Sequence, residues 1–245
     1  GDVTISTGTG TQAGNVSISS TAFTARNTTT NFYTFSIVAA GNILDSTLSA
    51  INFSGSNNNG SNNNGINVNF KSLSGSISIL GTITTSGGRN GNNNFGGNAG
   101  NVTLDAATTV VISGAGAITA NGATAGNGGD NDGGSAGIIQ IIGPTGVRIT
   151  GTGTINSNYQ VANQAGINGA PGTVIIKSNA STVTSGGGVN DGQTGCVINS
   201  YLGRLIKKGT GTLFISANDN YSGATIDSAG LIQLGAANRI KDSSD

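Results

Sequence analysis

The chain contains 245 residues, of which 43 are glycine, and charged residues make up only 8% of it. Ten lysines and arginines balance ten aspartates, so the zero net charge provides no basic field for nucleic acid or for an anionic membrane surface. There is no histidine, glutamate, methionine or tryptophan. Without histidine, nucleophilic triads that use an imidazole base are excluded. We therefore expect no catalytic residues and no cofactor.

The apolar residues predict β-structure. They make up 35% of the chain and occur in short alternating runs bounded by glycine and asparagine. Such runs are typical of half-buried strands separated by turns. No apolar run approaches the 18 residues of a membrane span, so we expect no membrane insertion of this segment. Residues 1–5 do not resemble a signal peptide, and we interpret the chain as part of a longer β-protein.

Internal repeats with a period of 35 to 37 residues lie between residues 75 and 200. Each repeat contains glycines that precede short strand-like segments. These landmark glycines are Gly81, Gly116 and Gly153 in one set, and Gly100, Gly137 and Gly172 in a second. The spacings are 35 and 37 residues in the first set and 37 and 35 in the second. A fixed period of this length is typical of solenoid proteins.

One repeat contains three short strands and then a stretch rich in glycine and asparagine. Such a unit has no partner for its own apolar face, so stacking one unit on the next is the favoured solution. We therefore predict an all-β fold, a right-handed parallel β-helix (solenoid) with Gly/Asn-rich loop excursions, as a single domain over residues 1–245 with roughly eight coils. Valine, isoleucine and leucine are expected to fill the lumen, asparagine to form ladders between coils, and glycine to supply positive φ at corners.

The Gly/Asn-rich stretches span residues 55–65, 87–94 and 126–134. We interpret them as loose surface insertions or, alternatively, as a contact surface for a partner. Asp130 and Asp132 lie in the third stretch, where carboxylates on a pliable backbone suit Ca²⁺. They are weak metal candidates, because calcium-binding nonapeptide arrays repeat many times and this motif occurs once. A solvated turn is the simpler interpretation.

Towards the C-terminus the pattern changes. Residues 208–235 contain a Lys-Gly-Thr-Gly-Thr-Leu strand start at 208, an Asn-Asp-Asn-Tyr-Ser-Gly turn at 218 and a Leu-Ile-Gln-Leu-Gly strand end at 231. This part, 204–240 overall, resembles the autotransporter-associated β-strand repeat, and residues 96–104 are similar to coils of filamentous-haemagglutinin-like exoproteins. The resemblance implies a secreted bacterial protein at the cell surface, with a right-handed β-helical passenger.

These observations favour a non-catalytic extracellular protein, either an adhesin or a component of an extracellular fibre or matrix. The expected partner is a host, cell-surface or matrix ligand, or another copy of the chain in a filament. The alternative is a carbohydrate-active β-helix enzyme of the lyase or hydrolase type. The segment 239–241 matches the Arg-x-Lys element of polygalacturonases, but glycoside cleavage generally needs two carboxylic acids close together and no adjacent acidic pair occurs.

Two further surface features are explained without a binding function. Arg204, Lys207 and Lys208 form a short basic cluster that we predict to be a solvated rim. Threonines spaced two apart, as at Thr7 and Thr9, suggest ice binding only if they recur coil after coil, and the corresponding positions are as often glycine, alanine or serine.

Overall fold

A computed structural model shows the chain wound into a parallel β-solenoid, and its described part contains strands and no helix. The structure describes residues 1–7, 14–19, 22–57, 63–89, 95–113, 117–126, 131–149, 154–162, 164–179, 188–190, 197–200, 204–215, 220–221, 223–235 and 240. Within these ranges there is accordingly no long apolar helix of the kind that crosses a lipid bilayer.

Twenty-three short strands follow one another through the described residues. They are β1 (Val3–Ser6), β2 (Val16–Ile18), β3 (Ala22–Thr24), β4 (Thr34–Ala39), β5 (Ile43–Asp45), β6 (Ala50–Asn52), β7 (Asn67–Ser72), β8 (Ile77–Ile79), β9 (Thr82–Thr84), β10 (Val102–Ala106), β11 (Thr109–Ile112), β12 (Ala117–Thr119), β13 (Ile138–Ile142), β14 (Gly146–Ile149), β15 (Thr154–Asn156), β16 (Thr173–Lys177), β17 (Gly188–Asn190), β18 (Val197–Ser200), β19 (Arg204–Lys208), β20 (Thr212–Ile215), β21 (Asn220–Tyr221), β22 (Thr225–Asp227) and β23 (Leu231–Leu234).

Every third strand belongs to the same sheet. Sheet A has the order β1-β4-β7-β10-β13-β16-β19-β22, and sheet B has the order β2-β5-β8-β11-β14-β17-β20-β23. Sheet C, with the order β3-β6-β9-β12-β15-β18-β21, has seven strands. Neighbouring strands are parallel, for example β10 with β7 and β13. The predicted parallel β-helix is therefore confirmed.

The pairing register reproduces the offsets of the sequence repeats. Val102 pairs with Ile139, 37 residues on, and Ile139 pairs with Val174, 35 residues on. At the C-terminal end the coils shorten, since Leu205 pairs with Thr225, only 20 residues on. This shortening begins where the resemblance to the autotransporter repeat begins. The long Gly/Asn-rich stretch between sheets C and A is missing from these last coils, because only three residues separate β18 from β19 and β21 from β22.

The core is a column of apolar side chains inside the coils. Alternation along each strand places one side chain in the lumen and the next outside, as in β4, where buried and half-buried residues alternate. Like residues therefore lie above like. Sheet C, for example, contributes a fully buried row of isoleucines, namely Ile51, Ile83, Ile118 and Ile155. At the N-terminal end, Phe23, Phe35 and Phe53 pack with ring centroids 4.9 to 5.4 Å apart.

Among the described residues, two charged side chains occupy lumen positions, Asp45 and Lys207. Asp45 is 3% exposed at the end of β5, and its Oδ2 accepts hydrogen bonds from the backbone N–H groups of Gly81 at 2.6 Å and Leu80 at 3.2 Å. Lys207 is fully buried in the row that continues from Ile176. Its Nζ donates to the backbone carbonyls of Lys208, Gly209 and Ala229 at 2.7 to 3.2 Å. Each of these two side chains therefore forms a hydrogen bond to the backbone of the following coil, Asp45 to Gly81 and Lys207 to Ala229.

The burial of Lys207 corrects the predicted basic rim. Arg204 and Lys208 are exposed on β19, whereas Lys207 points into the lumen between them. The alternation that starts from the buried Leu205 already puts Lys207 inside. The physical reason is that three carbonyl acceptors replace water around the ammonium group, which makes an inward lysine tolerable.

We expect Lys207 to give the last coils a pH-dependent stability. Burial lowers the pKa of Lys207 below its ordinary value of 10.5, although the Asp227 carboxylate acts in the opposite direction. Between that lowered pKa and 10.5 the unfolded chain binds more protons than the folded chain, so stability rises with pH in this window. Below the lowered pKa both states are protonated and the dependence ends.

Urea unfolding of the parent and of Lys207→Met at a series of pH values measures this effect. The difference in unfolding free energy should shift in favour of the parent as the pH rises towards 10.5. The other titrating groups are common to both proteins and cancel in the difference. A difference that stays constant, or that moves in favour of the variant with rising pH, would contradict a lowered pKa in the folded state.

Glycine at the corners acts differently from the prediction. Among the described glycines only Gly209 and Gly230, both in the last coils, have positive φ, at 81° and 101°. The corner residue Gly81 has an ordinary backbone, but a Cβ there would lie within 3.0 Å of three backbone atoms of Ser49. Close approach of neighbouring backbones, and not unusual dihedral angles, therefore requires glycine at this corner. The corner glycines Gly116 and Gly153 lie outside the described residues.

Candidate binding surface

A second layer of chain covers one side of the solenoid. After each of the strands β6, β9, β12 and β15 the chain leaves sheet C and returns before the next strand of sheet A. We call these four segments the lateral layer. Their described residues are 53–57 with 63–66, 85–89 with 95–101, 120–126 with 131–137, and 157–162 with 164–172. In each segment, the first part is the outgoing half and the second part is the returning half.

The described halves of the lateral layer are packed, which corrects the interpretation of these residues as parts of loose insertions. The glycines Gly55, Gly88, Gly97 and Gly134 are buried. Outgoing halves of successive coils are joined by backbone hydrogen bonds, as between Gly87 N–H and Asn121 O at 2.9 Å. Returning halves are joined in the same way, as between Ala99 N–H and Ser135 O at 2.9 Å. The lateral layer therefore continues from coil to coil like the sheets.

Backbone hydrogen bonds also connect the outgoing and returning halves. These bonds form a zigzag that links seven residues in turn. The backbone N–H of each residue donates to the backbone carbonyl of the residue named before it, in the order Asn63, Gly88, Gly97, Ala123, Gly134, Gln160 and Gly169. The distances in this series range from 2.8 to 3.2 Å. A half therefore bonds both to its own partner half and to the coil below. The backbone groups of one segment bond to more than two neighbouring segments. The segments are therefore extended but are not strands of a regular sheet.

Glycine is required here by the close approach of backbones. A Cβ on Gly97 would lie within 3.0 Å of the Asn63 carbonyl group, and a Cβ on Gly134 would lie within 3.0 Å of Gly97 O and Ala123 N. The same holds for Gly87 against Gly97. These contacts are with backbone atoms, which do not move aside as flexible side chains do. The glycine content of the repeat therefore reflects dense packing.

Asparagine ladders hold the returning halves in register. Asn98 N–H donates to Asn64 Oδ1 at 2.9 Å, and Ser135 N–H donates to Asn98 Oδ1 at 2.8 Å. A parallel ladder leads from Asn67 through Asn101 to the N–H of Ile138. In each step the side-chain oxygen accepts from the backbone one coil further on. The predicted asparagine ladders are confirmed at these positions.

The outer face of the returning halves carries a groove of about 350 Å³. The side chains that line it come from three successive coils and are Phe95, Asn98, Asp132, Ser135, Ile167 and Asn168. Two of its lining side chains are apolar and open to solvent, since Phe95 is 44% and Ile167 is 74% exposed. The rest of the lining is polar side chains and the lateral-layer glycines Gly96, Gly133 and Gly169.

The polar side chains of the groove are fixed by backbone hydrogen bonds. Asp132 Oδ1 accepts from Ile167 N–H at 2.6 Å, and Asn168 Oδ1 accepts from Ala162 N–H at 2.8 Å. Ser135 Oγ accepts from Ala170 N–H at 3.0 Å. In the described structure, Asp132 Oδ2, the side-chain amide groups of Asn98 and Asn168, and the Ser135 hydroxyl proton have no protein partner. The groove therefore offers donors and one acceptor in fixed positions.

Only one of the two predicted metal candidates lies among the described residues. Asp132 lies in the groove, with one carboxylate oxygen bonded to Ile167 N–H. Asp130 lies outside the described residues, as do Asp219, Arg239 and Lys241. No cluster of three potential metal-ligating side chains occurs within the described ranges. The calcium hypothesis therefore stays a prediction that rests on Asp132 and on Asp130.

Sequence reasoning missed the other groove residues. A signal for them was present, because Asn98 and Ser135 each stand two residues before a landmark glycine, Gly100 and Gly137. Phe95 is also an isolated aromatic residue at the end of an asparagine run. Nothing in the local pattern shows that Ile167 and Asn168 lie beside them, since that depends on the path of the lateral layer.

A second concave region lies at the first coil. It has a volume of about 380 Å³ and lies between the lumen rings Phe35 and Phe53 and the polar residues 26–29. Because its apolar wall belongs to the hydrophobic core, this cavity is the open end of the lumen and not a separate site.

The fold and the groove define a class: a parallel β-solenoid with a hydrogen-bonded glycine-rich lateral layer. No protein family, curated protein or solved structure matches the chain.

Proposed function

We propose that the chain is a non-catalytic rod segment of a secreted surface protein, an adhesin or a component of an extracellular fibre or matrix. The observation that carries the proposal is the continuity of backbone hydrogen bonding along the rod. Sheets A, B and C and the lateral layer all bond from one coil to the next. A load along the axis is therefore shared among several parallel rows of hydrogen bonds, which suits a protein that holds an attachment away from a surface.

The outer surface supports the same proposal. Only one ion pair is present among the described residues, the exposed Lys71–Asp105 pair at 3.5 Å. Serine, asparagine and threonine occupy outward positions of sheet A, as at Ser36, Asn69 and Thr103. An uncharged polar surface binds partners through hydrogen bonds and not through long-range attraction. The extracellular location and the partner, a cell-surface or matrix ligand or a second copy, belong to this proposal.

The alternative, a carbohydrate-active enzyme, has less support from the groove. Glycoside cleavage generally uses two carboxylic acids on either side of the scissile bond. Of the described residues that line the groove, only Asp132 carries a carboxyl group. A groove of this composition favours binding without cleavage.

Two measurements on the purified chain test the proposed function. Beads coated with the chain should adhere to cells or to extracellular matrix preparations more strongly than beads coated with albumin, or the chain should form filaments visible by electron microscopy. Incubation with neutral and acidic polysaccharides should release no reducing ends and no unsaturated products, with or without Ca²⁺. Steady product release would establish the enzyme instead. Absence of both adhesion and filaments would remove the support for a surface protein.

A further inference from the structure

We infer that the groove of the lateral layer binds a neutral saccharide directly, through Asn98, Asp132, Asn168 and the ring of Phe95. This inference deepens the proposed function, because it names the ligand class that an adhesive rod of this kind would hold. It starts from the hydrogen bonds that the groove residues already make within the protein.

The asparagine ladder leaves donors unused. Asn98 Oδ1 accepts from Ser135 N–H and Asn168 Oδ1 accepts from Ala162 N–H, both at 2.8 Å. Because the backbone N–H groups need the oxygens, the orientation of each amide is fixed and its NH₂ group is directed elsewhere. Both residues line the groove, and their NH₂ groups have no protein partner in the described structure.

Asp132 supplies the complementary acceptor. Its Oδ1 accepts from Ile167 N–H at 2.6 Å, which leaves Oδ2 for a ligand. The groove thus presents two amide donors, the Ser135 hydroxyl and a carboxylate oxygen within the three coils that it spans. Each hydroxyl group of a sugar both donates and accepts a hydrogen bond, so a sugar satisfies both kinds of group at once.

The shape and the charge of the groove further limit the class of ligand that it can bind. Phe95 and Ile167 expose apolar surface in the lining of the groove, and the face of a sugar ring that carries its C–H groups packs on such a surface. A groove of about 350 Å³ is within the range of small-molecule sites. The two steps of about 4.8 Å between its three coils give it a length of about 10 Å along the rod, which suits one or two sugar rings. The negative charge of Asp132 disfavours an acidic sugar.

The fixed geometry lowers the entropic cost of binding. Asn98, Asp132, Ser135 and Asn168 are all held by backbone N–H groups, so their side chains lose little freedom when a ligand binds. The backbone beneath them is itself held by the zigzag of the lateral layer. The site is therefore preformed and does not require a closing loop.

The test is an array of immobilised neutral oligosaccharides built from glucose, mannose, galactose and N-acetylglucosamine, followed by calorimetry with the best-binding oligosaccharide. Asn98→Asp and Asn168→Asp keep the side-chain oxygen that the backbone needs and replace the free NH₂ donor by an acceptor. We expect each to weaken binding about tenfold or more, because the ligand oxygen that accepts from the NH₂ group loses its donor and faces a carboxylate oxygen instead. Phe95→Leu should weaken binding about threefold to tenfold through the smaller stacking surface.

Asn121→Asp is the matched control. Asn121 Oδ1 accepts from Asn158 N–H at 2.8 Å in the same kind of ladder, but Asn121 does not line the groove. This variant adds the same charge and should change the dissociation constant by less than about twofold. Thermal unfolding shows whether each variant is folded. If one groove variant is unfolded, the binding data of the remaining groove variants test the inference.

The outcomes separate this inference from the proposed function. Adhesion or filament formation by a chain that binds no oligosaccharide on the array at millimolar concentration overturns the inference and leaves the proposed function standing. Binding that the groove variants do not weaken, or that disappears with EDTA and returns with Ca²⁺, also overturns direct recognition by this groove. Saccharide binding that depends on the groove but is accompanied by steady cleavage supports the ligand class and overturns the proposed function.

Discussion

Replacing Gly97 by alanine should lower the stability of the whole rod more than most surface substitutions do. Gly97 N–H donates to Gly88 O, and Gly97 O accepts from Ala123 N–H, so this residue connects three extended segments. A Cβ would lie within 3.0 Å of the Asn63 carbonyl, a backbone group without room to move. We expect a loss of about 3 kcal/mol, the upper end of the range for overpacking. In a domain of this size, that lowers the unfolding midpoint by about 6 °C or more.

Differential scanning calorimetry of Gly97→Ala measures the effect, with Gly134→Ala as a second variant that meets Gly97 O and Ala123 N. Thr124→Ala is the control, because Thr124 is exposed in the neighbouring segment of the lateral layer and its replacement introduces alanine without adding any atom. Its midpoint should stay within about 1 °C of the parent. Equal midpoints for all three variants would show that the lateral layer is loose and that its glycines are not needed for packing.

Truncation of Phe53 to alanine should be the most damaging single change in the lumen. Phe53 is 1% exposed, and its ring lies between Phe23 and Phe35, with centroid distances of 5.4 and 4.9 Å. Removal of a buried ring costs about 3–5 kcal/mol, because the cavity that remains adds to the lost transfer free energy. The edge-to-face contact with Phe23 is lost as well. Denaturant unfolding should show a lower midpoint with an unchanged slope.

Phe32→Ala is the matched control, because the Phe32 side chain is 49% exposed and lies outside the core. It should lower the unfolding free energy by less than about 0.5 kcal/mol. A similar loss for Phe32→Ala and Phe53→Ala would mean that the aromatic residues of the first coils are not organised around the lumen. A change of slope in Phe53→Ala would indicate instead that the first coils unfold separately from the rest.

The two substitutions act on different parts of one rod. Phe53 is the first residue of the lateral layer, but its ring fills the lumen, whereas Gly97 allows the lateral layer to pack through its backbone. Because these residues share no contact, their effects should be additive to within about 0.5 kcal/mol if the rod unfolds as one unit. A double variant that is more stable than the sum predicts would show that the lumen and the lateral layer unfold in separate steps.

The parallel coils could be predicted because their signal is local and repeated. Val102, Ile139 and Val174 stand at equivalent places of the repeat, and alternation within each strand indicates which side chain faces the lumen. The burial of Lys207 follows from the same alternation. The prediction that this charged side chain faces solvent was wrong. The carbonyls that receive its ammonium group come from residues up to 22 positions away.

The amino-acid composition of the glycine-rich segments does not determine how they pack. A run of glycine and asparagine is compatible both with a loose loop and with a densely packed segment. The interpretation of residues 87–94 as a loose insertion was therefore wrong for Gly87 and Gly88, the former half-buried and the latter buried. Their neighbours are backbone atoms of Asn63, Gly97 and other residues of adjacent segments, and a local pattern does not show that such segments meet.

The sequence by itself determined the all-β class, the parallel stacking with its offsets of 35 to 37 residues, and the presence of asparagine ladders. These properties depend on alternation and periodicity, which act over a few residues and then repeat. Only the tertiary structure decided that the glycine-rich segments form a second packed layer and that Phe95, Asp132 and Asn168 share one groove. Those features arise because the winding of the coils brings backbones from three successive turns into contact, at positions that are far apart in the chain.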